Sequence, residues 1–218
     1  KPFPLEILFE DQDILAVNKP PFLAMHPTHN HQGDTLANAV AWHLTQKGGA
    51  AAFRAIGRLD KGTSGVVICA LNKYAASRLT GHIRKQYLAV VQGEFKGAGT
   101  IDLPIGRPDP MKTLRACGAG GDSAVTHWQS LGCSGGRSLL RVTLDTGRTH
   151  QIRVHFAHIG APLTGDGMYG SADTAAAHQL LHCERAEFVH PVTGEKMTIE
   201  APVPPEMRAV IQGIPFHT

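Results

Sequence analysis

The sequence predicts a mixed α/β protein rich in short strands, and both its composition and its pattern of turns support this fold class. Of the 218 residues, 42% are hydrophobic and 18% are charged, as is typical of a globular protein with a buried core. The 24 glycines and 14 prolines are scattered rather than clustered in repeats, which favours many turns between short elements over a helical bundle. We therefore expect one domain over residues 1–218, which could have two lobes.

The first elements predicted along the chain are a β-hairpin and a helix. Apolar runs at residues 5–9 and 14–17 are separated by a polar, turn-forming segment, which is the pattern of a hairpin. Apolar residues then recur at intervals of four until the glycine pair at residues 48–49, and Asp34 or Thr35 is able to cap the helix that this spacing predicts.

A polar, glycine-rich loop comes next, at residues 56–65. It precedes the apolar run of residues 66–71, which predicts a strand that holds the loop in place. Asn72 is suited to cap a helix that extends to Arg84 and buries its apolar positions, and a strand is expected at residues 86–91.

The second half of the chain predicts a long surface excursion and two further hairpins. Residues 97–122 are rich in glycine, proline and scattered charge, as expected for a mobile loop that substrate could order. The strands of the first hairpin are residues 124–131 and 138–144, and a short helix capped by Thr149 is expected after them. The last hairpin covers residues 180–201.

Charge and missing motifs exclude several classes of function. The formal net charge is only +3, but residues 72–91 and 141–158 concentrate positive charge, as either an RNA-binding face or ordinary solvated helices would. The sequence lacks a phosphate-binding glycine loop, a dinucleotide fingerprint, a zinc-protease motif and a serine nucleophile elbow. Because these nucleotide-binding motifs are missing, no nucleotide cofactor is expected. The apolar runs are too short to span a bilayer, so a membrane is not expected as a partner either.

Cysteine and histidine do not indicate a metal site. The four cysteines are far apart, which argues against a disulfide framework or a zinc site and favours a reducing, cytoplasmic location. His26, His29 and His31 have metal-compatible spacing, but the polar loop around them offers no clear carboxylate or cysteine partner. We therefore expect these histidines at the surface or facing RNA, and we predict no metal.

Asp60 is the most informative residue of the glycine-rich loop. It lies two positions after Arg58 and close to two hydroxyl residues, so its carboxylate is surrounded by groups able to keep it ionised. Such a carboxylate could be a nucleophile. The alternative is a turn-stabilising aspartate that is bonded to backbone amides.

Three motifs carry a resemblance to a known family. They are Gly57-Arg58-Leu59-Asp60, Lys85-Gln86-Tyr87-Leu88-Ala89 and the ten-residue segment from Thr146 to His155. In order and spacing they resemble the motifs of the RNA pseudouridine synthases of the RsuA/RluA family, and shorter matches around Lys19, Asp166 and His190 extend the resemblance over nearly the whole chain. The third motif is similar to the RluA branch, although Gly57 stands where that branch usually has a histidine.

The resemblance implies the family's architecture and reaction. The fold would be a bent, mainly antiparallel sheet with flanking helices and a central catalytic cleft, without an S4-type domain in these residues. The activity would be that of an isomerase that converts uridine in structured ribosomal or transfer RNA to pseudouridine, as a cytoplasmic monomer and without cofactor, metal or nucleotide. The alternatives are a noncatalytic RNA-binding or ribosome-assembly factor on the same fold and a hydrolytic nucleosidase.

The resemblance also implies roles for particular residues. Asp60 would be the catalytic nucleophile, Arg153 would pair with it, and Tyr87 would stack on the uracil and assist removal of the C5 proton. Taken alone, a strand tyrosine is more often a core residue and a helical arginine a surface residue. Arg58 would enter the space that an extruded uridine leaves. Further RNA contacts would come from Lys85, Arg148 and His150; the alternative for Arg148 and His150 is that they brace the loop.

Overall fold

The computed structural model describes residues 4–49 and 53–215, and the chain divides into two compact units. Unit 1 consists of the described residues up to Lys85 together with Cys183–Pro202. Unit 2 consists of Gln86–His182 together with the described residues from Val203 onward. The predicted mixed α/β class is confirmed, since helices accompany a large, mainly antiparallel sheet. Within the described residues, every helix is too short or too polar to cross a bilayer.

The bounds of the elements are as follows. The strands, in chain order, are β1 (Glu6–Glu10), β2 (Ile14–Lys19), β3 (Arg54–Ala55), β4 (Ser64–Ala70), β5 (Arg84–Gln92), β6 (Ala98–Asp102), β7 (Ile105–Gly106), β8 (Ala116–Cys117), β9 (Val125–Ser134), β10 (Arg137–Leu144), β11 (Leu181–Val189) and β12 (Lys196–Glu200). The helices are α1 (Leu36–Gln46), α2 (Lys73–Leu79), α3 (Gln151–His158) and α4 (Pro205–Ile211). A 3₁₀ turn covers Gly167–Tyr169.

Unit 1 is built around two central strands with long apolar runs. β2 pairs antiparallel with β1 and with β4, β3 also pairs with β4, and β11 lies next to β4 and pairs with β12. Every residue of β4 is buried, which explains why its apolar run is uninterrupted. The hairpins predicted at the start and near the end of the chain are confirmed, as is the strand after the glycine-rich loop.

The two helices of unit 1 begin where the sequence predicts, but the second ends early. α1 is capped by Thr35, whose hydroxyl accepts a hydrogen bond from a backbone amide of the first turn. Asn72 caps α2 by accepting a hydrogen bond from the Ala75 amide at 2.8 Å. The predicted extension of α2 to Arg84 is wrong, because the backbone leaves the helical region at Thr80 and Arg84 already belongs to β5.

Unit 2 contains an antiparallel array in the strand order β5, β10, β9, β6. The predicted hairpin of β9 and β10 is confirmed, and it turns at Gly135 and Gly136, whose φ angles of 63° and 76° suit a two-residue turn. α4 is not predicted from the sequence. Its Met207 and Ile211 pack in one apolar cluster with Leu139 of β10, so α4 covers part of one face of the array.

Two further expectations for unit 2 are corrected. The excursion at residues 97–122 contains more regular structure than predicted, namely β6 and the short β7–β8 ladder. The predicted cap on Thr149 is wrong, because α3 begins after His150, which has a left-handed φ of 57°. The turn before the helix is stabilised instead by the buried Gln151, whose Oε1 accepts a hydrogen bond from the Arg148 amide at 3.0 Å.

Candidate active site

Asp60 lies in the loop between β3 and β4 of unit 1. Leu59 is buried in the core, whereas Arg58 is exposed and Asp60 is half-buried, so the loop presents both charged side chains toward its surface. The Asp60 carbonyl accepts a hydrogen bond from the Thr63 amide at 2.9 Å, which closes a tight turn. Thr63 is buried and immediately precedes β4, so the strand fixes the position of this loop.

Lys19, the last residue of β2, is fully buried next to the Asp60 loop. Its ammonium donates hydrogen bonds to the carbonyls of Pro20 at 3.0 Å, Leu23 at 2.8 Å and Lys61 at 3.1 Å. Burial lowers the pKa of Lys19 to about 7, and the negative charge of Asp60 opposes that shift. One buried cation therefore joins the turn after β2 to the residue that directly follows Asp60.

Gly57 and Lys85 are close neighbours in unit 1. Gly57 has a left-handed φ of 78°, and a Cβ added to it would lie only 3.0 Å from the Lys85 Nζ. The Lys85 ammonium therefore covers the side of the loop toward which a side chain at position 57 would project. A histidine at this position would have to displace Lys85 and adopt a strained backbone conformation.

The histidine-rich loop between β2 and α1 is connected to Lys61. His31 Nδ1 lies 2.9 Å from Asp34 Oδ2, and His31 Nε2 lies 2.9 Å from the Lys61 Nζ. Because the lysine donates to Nε2, the imidazole proton is on Nδ1, toward Asp34. The hydrogen bond from His31 lowers the pKa of Asp34. His26 is exposed and packs edge-on against Phe53, with ring centroids 5.1 Å apart.

One cluster among the described residues has the spacing of a metal site, namely Asp11, Asp13 and His190. Both ring nitrogens of His190 are engaged by protein groups, since Nε2 donates to Asp11 Oδ2 at 2.6 Å and Nδ1 accepts from the amides of Val192 and Thr193. The imidazole therefore fixes the β11–β12 turn to the β1–β2 turn.

Tyr87 lies on β5 in unit 2, directly opposite Val142 of β10. It is 8% exposed, so the strand array holds its ring rather than leaving it in solvent. Its burial agrees with the core position that is usual for a strand tyrosine, and it gives the ring a fixed orientation.

Arg153 of α3 is buried in unit 2 and paired with a buried carboxylate. Its Nε lies 2.8 Å from Asp166 Oδ2 and its Nη2 lies 2.9 Å from Asp166 Oδ1, which is the bidentate geometry of a strong ion pair. The side chains of Arg153 and Asp166 are only 6% and 1% exposed. The alternative of an ordinary surface arginine is therefore wrong. The guanidinium also lies over the Tyr169 ring, 5.0 Å from its centroid.

Tyr169 connects this ion pair to two other segments of unit 2. Its hydroxyl accepts a hydrogen bond from the Arg115 amide at 3.1 Å and lies 2.6 Å from His150 Nδ1. The hydroxyl and the imidazole nitrogen therefore share one hydrogen bond, in which the tautomer of His150 decides which group donates. The Tyr169 side chain therefore contacts the loop after β7, the start of α3 and the Arg153 guanidinium.

Arg148 is exposed at the turn before α3. Its Nε donates to the Ser123 carbonyl at 2.8 Å, and its Nη1 lies 4.0 Å from Asp122 Oδ2. These contacts brace the turn against the segment before β9. They agree with the bracing role that the sequence leaves open for this arginine as well as with an RNA contact from its exposed edge.

The predicted site residues are divided between the two units. Arg58, Asp60 and Lys85 belong to unit 1, and Tyr87, Arg148, His150 and Arg153 belong to unit 2. Sequence reasoning assigned no role to Lys19, Asp166 or Tyr169, although the short matches around residues 18–20 and 165–170 were a signal that these segments matter.

Comparisons with known proteins agree on one family. The family model described as RNA pseudouridylate synthase matches residues 13–158. An RNA pseudouridine synthase of Bacillus subtilis named YjbO is 37% identical over 98% of this chain and 77% of its own length. A ribosomal large subunit pseudouridine synthase D of Xanthomonas campestris is 36% identical over 97% of this chain and 70% of its own length. The solved structure of human RNA pseudouridylate synthase domain containing 1 has a TM-score of 0.76 at 26% identity, and covers 99% of this chain and 89% of its own.

Proposed function

The chain belongs to the RNA pseudouridylate synthase family, and from this premise we propose that it isomerises particular uridines of large-subunit ribosomal RNA with Asp60 as the nucleophile. Membership makes the protein an RNA pseudouridine synthase, an isomerase that acts on RNA. The ribosomal substrate is favoured over transfer RNA because the Xanthomonas relative carries that name. We propose a monomer that works in the cytoplasm, as expected from the sequence.

The reaction needs side chains alone. The bond between ribose C1′ and uracil N1 breaks, the uracil turns while it stays bound, and a bond forms between C1′ and C5. N1 gains a proton and C5 loses one, so atoms and electrons balance without an oxidant or reductant. A carboxylate that bonds transiently to the nucleoside divides this isomerisation into two easier steps.

The observation that carries the proposal is the setting of Asp60 in unit 1. The carboxylate is half-buried in a short turn that begins a fully buried strand, which limits the motion of a nucleophile. The Asp60 carboxylate and the buried Lys19 ammonium attract each other, since the charge of Asp60 opposes the fall in the pKa of Lys19. A nucleophilic carboxylate requires both conditions, a fixed position and a negative charge.

Tyr87 and Arg153 complete the proposed catalytic set. Tyr87 would stack on the uracil with its ring and take part in proton removal at C5 with its hydroxyl, and its place on β5 fixes both. Arg153 would place positive charge against the reacting carboxylate. The bidentate pair with Asp166, through Nε and Nη2, holds this charge in a fixed orientation.

The four proposed RNA contacts are cationic or hydrogen-bonding groups. Arg58, exposed two positions before Asp60, would fill the space of an extruded uridine. Lys85, whose ammonium covers Gly57, would contact a phosphate. Arg148 and His150, at the start of α3, would contact further phosphates of the same RNA.

The proposal is tested with purified wild-type protein and the Asp60→Asn variant. Unmodified large-subunit ribosomal RNA and transfer RNA transcripts are incubated in single-turnover amounts, and pseudouridine and free uracil are measured by mass spectrometry. Asp60→Asn should reduce the rate by about 1,000-fold or more while RNA affinity stays within about threefold, because the amide keeps the shape but loses the nucleophilic charge. Asp102→Asn, at an exposed position of β6, is the control and should react normally.

Each other outcome has a distinct meaning. Free uracil as the product would show a hydrolytic nucleosidase, and RNA binding without any product from the wild type would show a noncatalytic factor. Product from transfer RNA alone would overturn the ribosomal assignment but keep the enzyme class. An Asp60→Asn variant that reacts at the normal rate would overturn the role of this aspartate.

A further inference from the structure

The turn that follows β2 contains a residue in an unfavourable backbone conformation. Phe22 has a φ of 68°, in the left-handed region that favours glycine, and it follows Pro21 in the turn from Pro20 to Leu23. A proline followed by a residue of positive φ is the pattern of a type II turn, whose third position is normally glycine or asparagine. A bulky aromatic residue at this position destabilises the folded state.

The Phe22 ring is only partly buried. Phe22 is 56% exposed, so much of its ring remains in water. Tyr74 is 57% exposed and also aromatic, but it lies on α2 in ordinary helical conformation. The combination of an exposed ring and a strained backbone therefore distinguishes Phe22 from a surface aromatic on a regular element, and such strain typically persists at positions that have a function.

The strained turn is attached to the Asp60 loop. The carbonyls of Pro20 and Leu23, at the two ends of the turn, are both bound by the Lys19 ammonium, which also binds the Lys61 carbonyl next to Asp60. The ammonium is fully buried, so this link is shielded from water. Phe22 therefore lies in a turn whose backbone is held to the loop of the proposed nucleophile.

We propose that Phe22 is a base-stacking residue that packs against an unpaired base of the RNA next to the target uridine. An exposed flat ring matches the chemistry of an unstacked base, which offers a flat face for stacking. The proposal rests on the proposed function, since it requires an RNA substrate at Asp60. It adds a contact on unit 1 that binds a neighbouring base rather than the reacting one.

The test exploits the opposite effects that Phe22→Gly should have on stability and binding. RNA affinity is measured with a 12-nucleotide single-stranded RNA in which 2-aminopurine flanks a central uridine, and stability is measured by thermal unfolding. Phe22→Gly should weaken binding by about 5- to 140-fold, the range for loss of one aromatic–base stack. Its Tm should stay the same or rise by about 2–4 °C, because glycine relieves the strain.

Companion variants separate stacking from apolar contact and from charge. Phe22→Trp should bind like the wild type and alter 2-aminopurine fluorescence, whereas Phe22→Leu should bind almost as weakly as the glycine variant. The slope of log affinity against log salt should be the same for all three, since no charge is removed. Tyr74→Ala should leave both affinity and fluorescence unchanged.

Several results would overturn the inference. They are normal binding by Phe22→Gly, normal binding by Phe22→Leu, and a fall in the Tm of Phe22→Gly, which would make Phe22 a folding residue. Binding is measured without turnover, so its outcome does not depend on catalysis. A wild-type protein that makes no pseudouridine would contradict the proposed function even if the Phe22 variants bind as expected.

Discussion

Lys19 in unit 1 and Arg153 in unit 2 are both buried cations, but different groups stabilise them. The Lys19 ammonium is bound by three uncharged carbonyls, whereas the Arg153 guanidinium forms a bidentate pair with the carboxylate of Asp166. Carbonyl dipoles compensate a buried charge less completely than a contacting carboxylate does. The pKa of Lys19 accordingly falls to about 7 through burial, whereas a guanidinium stays charged in proteins.

The groups that bind each cation match the task of its side chain. Lys19 holds backbone segments together, so it needs several acceptors in different directions, and an ammonium offers three donors for them. Arg153 presents a planar side chain in a fixed orientation, and a bidentate carboxylate provides that orientation. Unit 1 thus uses a buried cation to position a loop, and unit 2 uses an ion pair to position a side chain.

The largest effect expected from this comparison is that of Asp166→Asn. The substitution leaves the Arg153 charge buried beside a neutral amide, which should lower the free energy of unfolding by about 3–5 kcal/mol. Urea unfolding at pH 7 measures the loss. Glu200→Gln is the control, because it removes a pair with Arg185 whose side chains are 66% and 39% exposed, and it should cost less than about 1 kcal/mol. Equal losses in the two variants would contradict the distinction between buried and partly exposed pairs.

Lys19 should make stability depend on pH in a particular window. Below pH 7 the lysine is protonated in both the folded and unfolded states. Between pH 7 and the ordinary value of 10.5 only the unfolded state holds the proton, so the free energy of unfolding rises with pH. Relative to Lys19→Met, the wild type should gain about 3 kcal/mol between pH 7 and 9.5.

The measurement is denaturant unfolding of wild type and Lys19→Met across this window. Lys73→Met, at an exposed position of α2, is the control and should run parallel to the wild type. If Lys19→Met does not fold, NMR titration of the Lys19 side chain in the wild type answers the same question. A titration midpoint near 10 in that experiment would show that the ammonium is better stabilised than three carbonyls allow.

Local patterns predict much of the fold. The uninterrupted apolar run predicts β4, the spacing of apolar residues together with Thr35 predicts α1, and the turn residues predict the hairpins. The premature end of α2 depends on Thr80 and Gly81, where the backbone turns out of the helix although the apolar pattern continues. α4 has only 7 residues, so its apolar positions Met207, Val210 and Ile211, although spaced as in a helix, cover too few turns to distinguish a helix from a loop by pattern alone.

The candidate site is less accessible to sequence reasoning because it depends on contacts between distant segments. Asp60 can be selected from its motif alone. Lys19, by contrast, would be expected in solvent, because lysine is seldom buried, and only the meeting of two loops provides the carbonyls that bury it. Asp166 and Tyr169 reach Arg153 through an irregular loop, for which no periodicity exists.

The smallest effect on stability is expected from removing the Tyr169 hydroxyl. This change separates the contribution of the ring from that of its hydrogen bonds in unit 2. Tyr169→Phe keeps the ring beneath Arg153 but removes the partner of the Arg115 amide and of His150. We expect a loss of about 1 kcal/mol in the free energy of unfolding.

Hydrogen exchange gives the more specific readout for this variant. The Arg115 amide should exchange about fivefold faster in Tyr169→Phe, whereas amides in the middle of β10 should change only in proportion to global stability. Tyr169→Leu also removes the ring under the guanidinium and should cost about 0.5–1 kcal/mol more. If Tyr169→Phe and Tyr169→Leu were equally stable, the orientation of Arg153 would depend on Asp166 alone, and the tyrosine would serve only to connect the loop after β7 to α3.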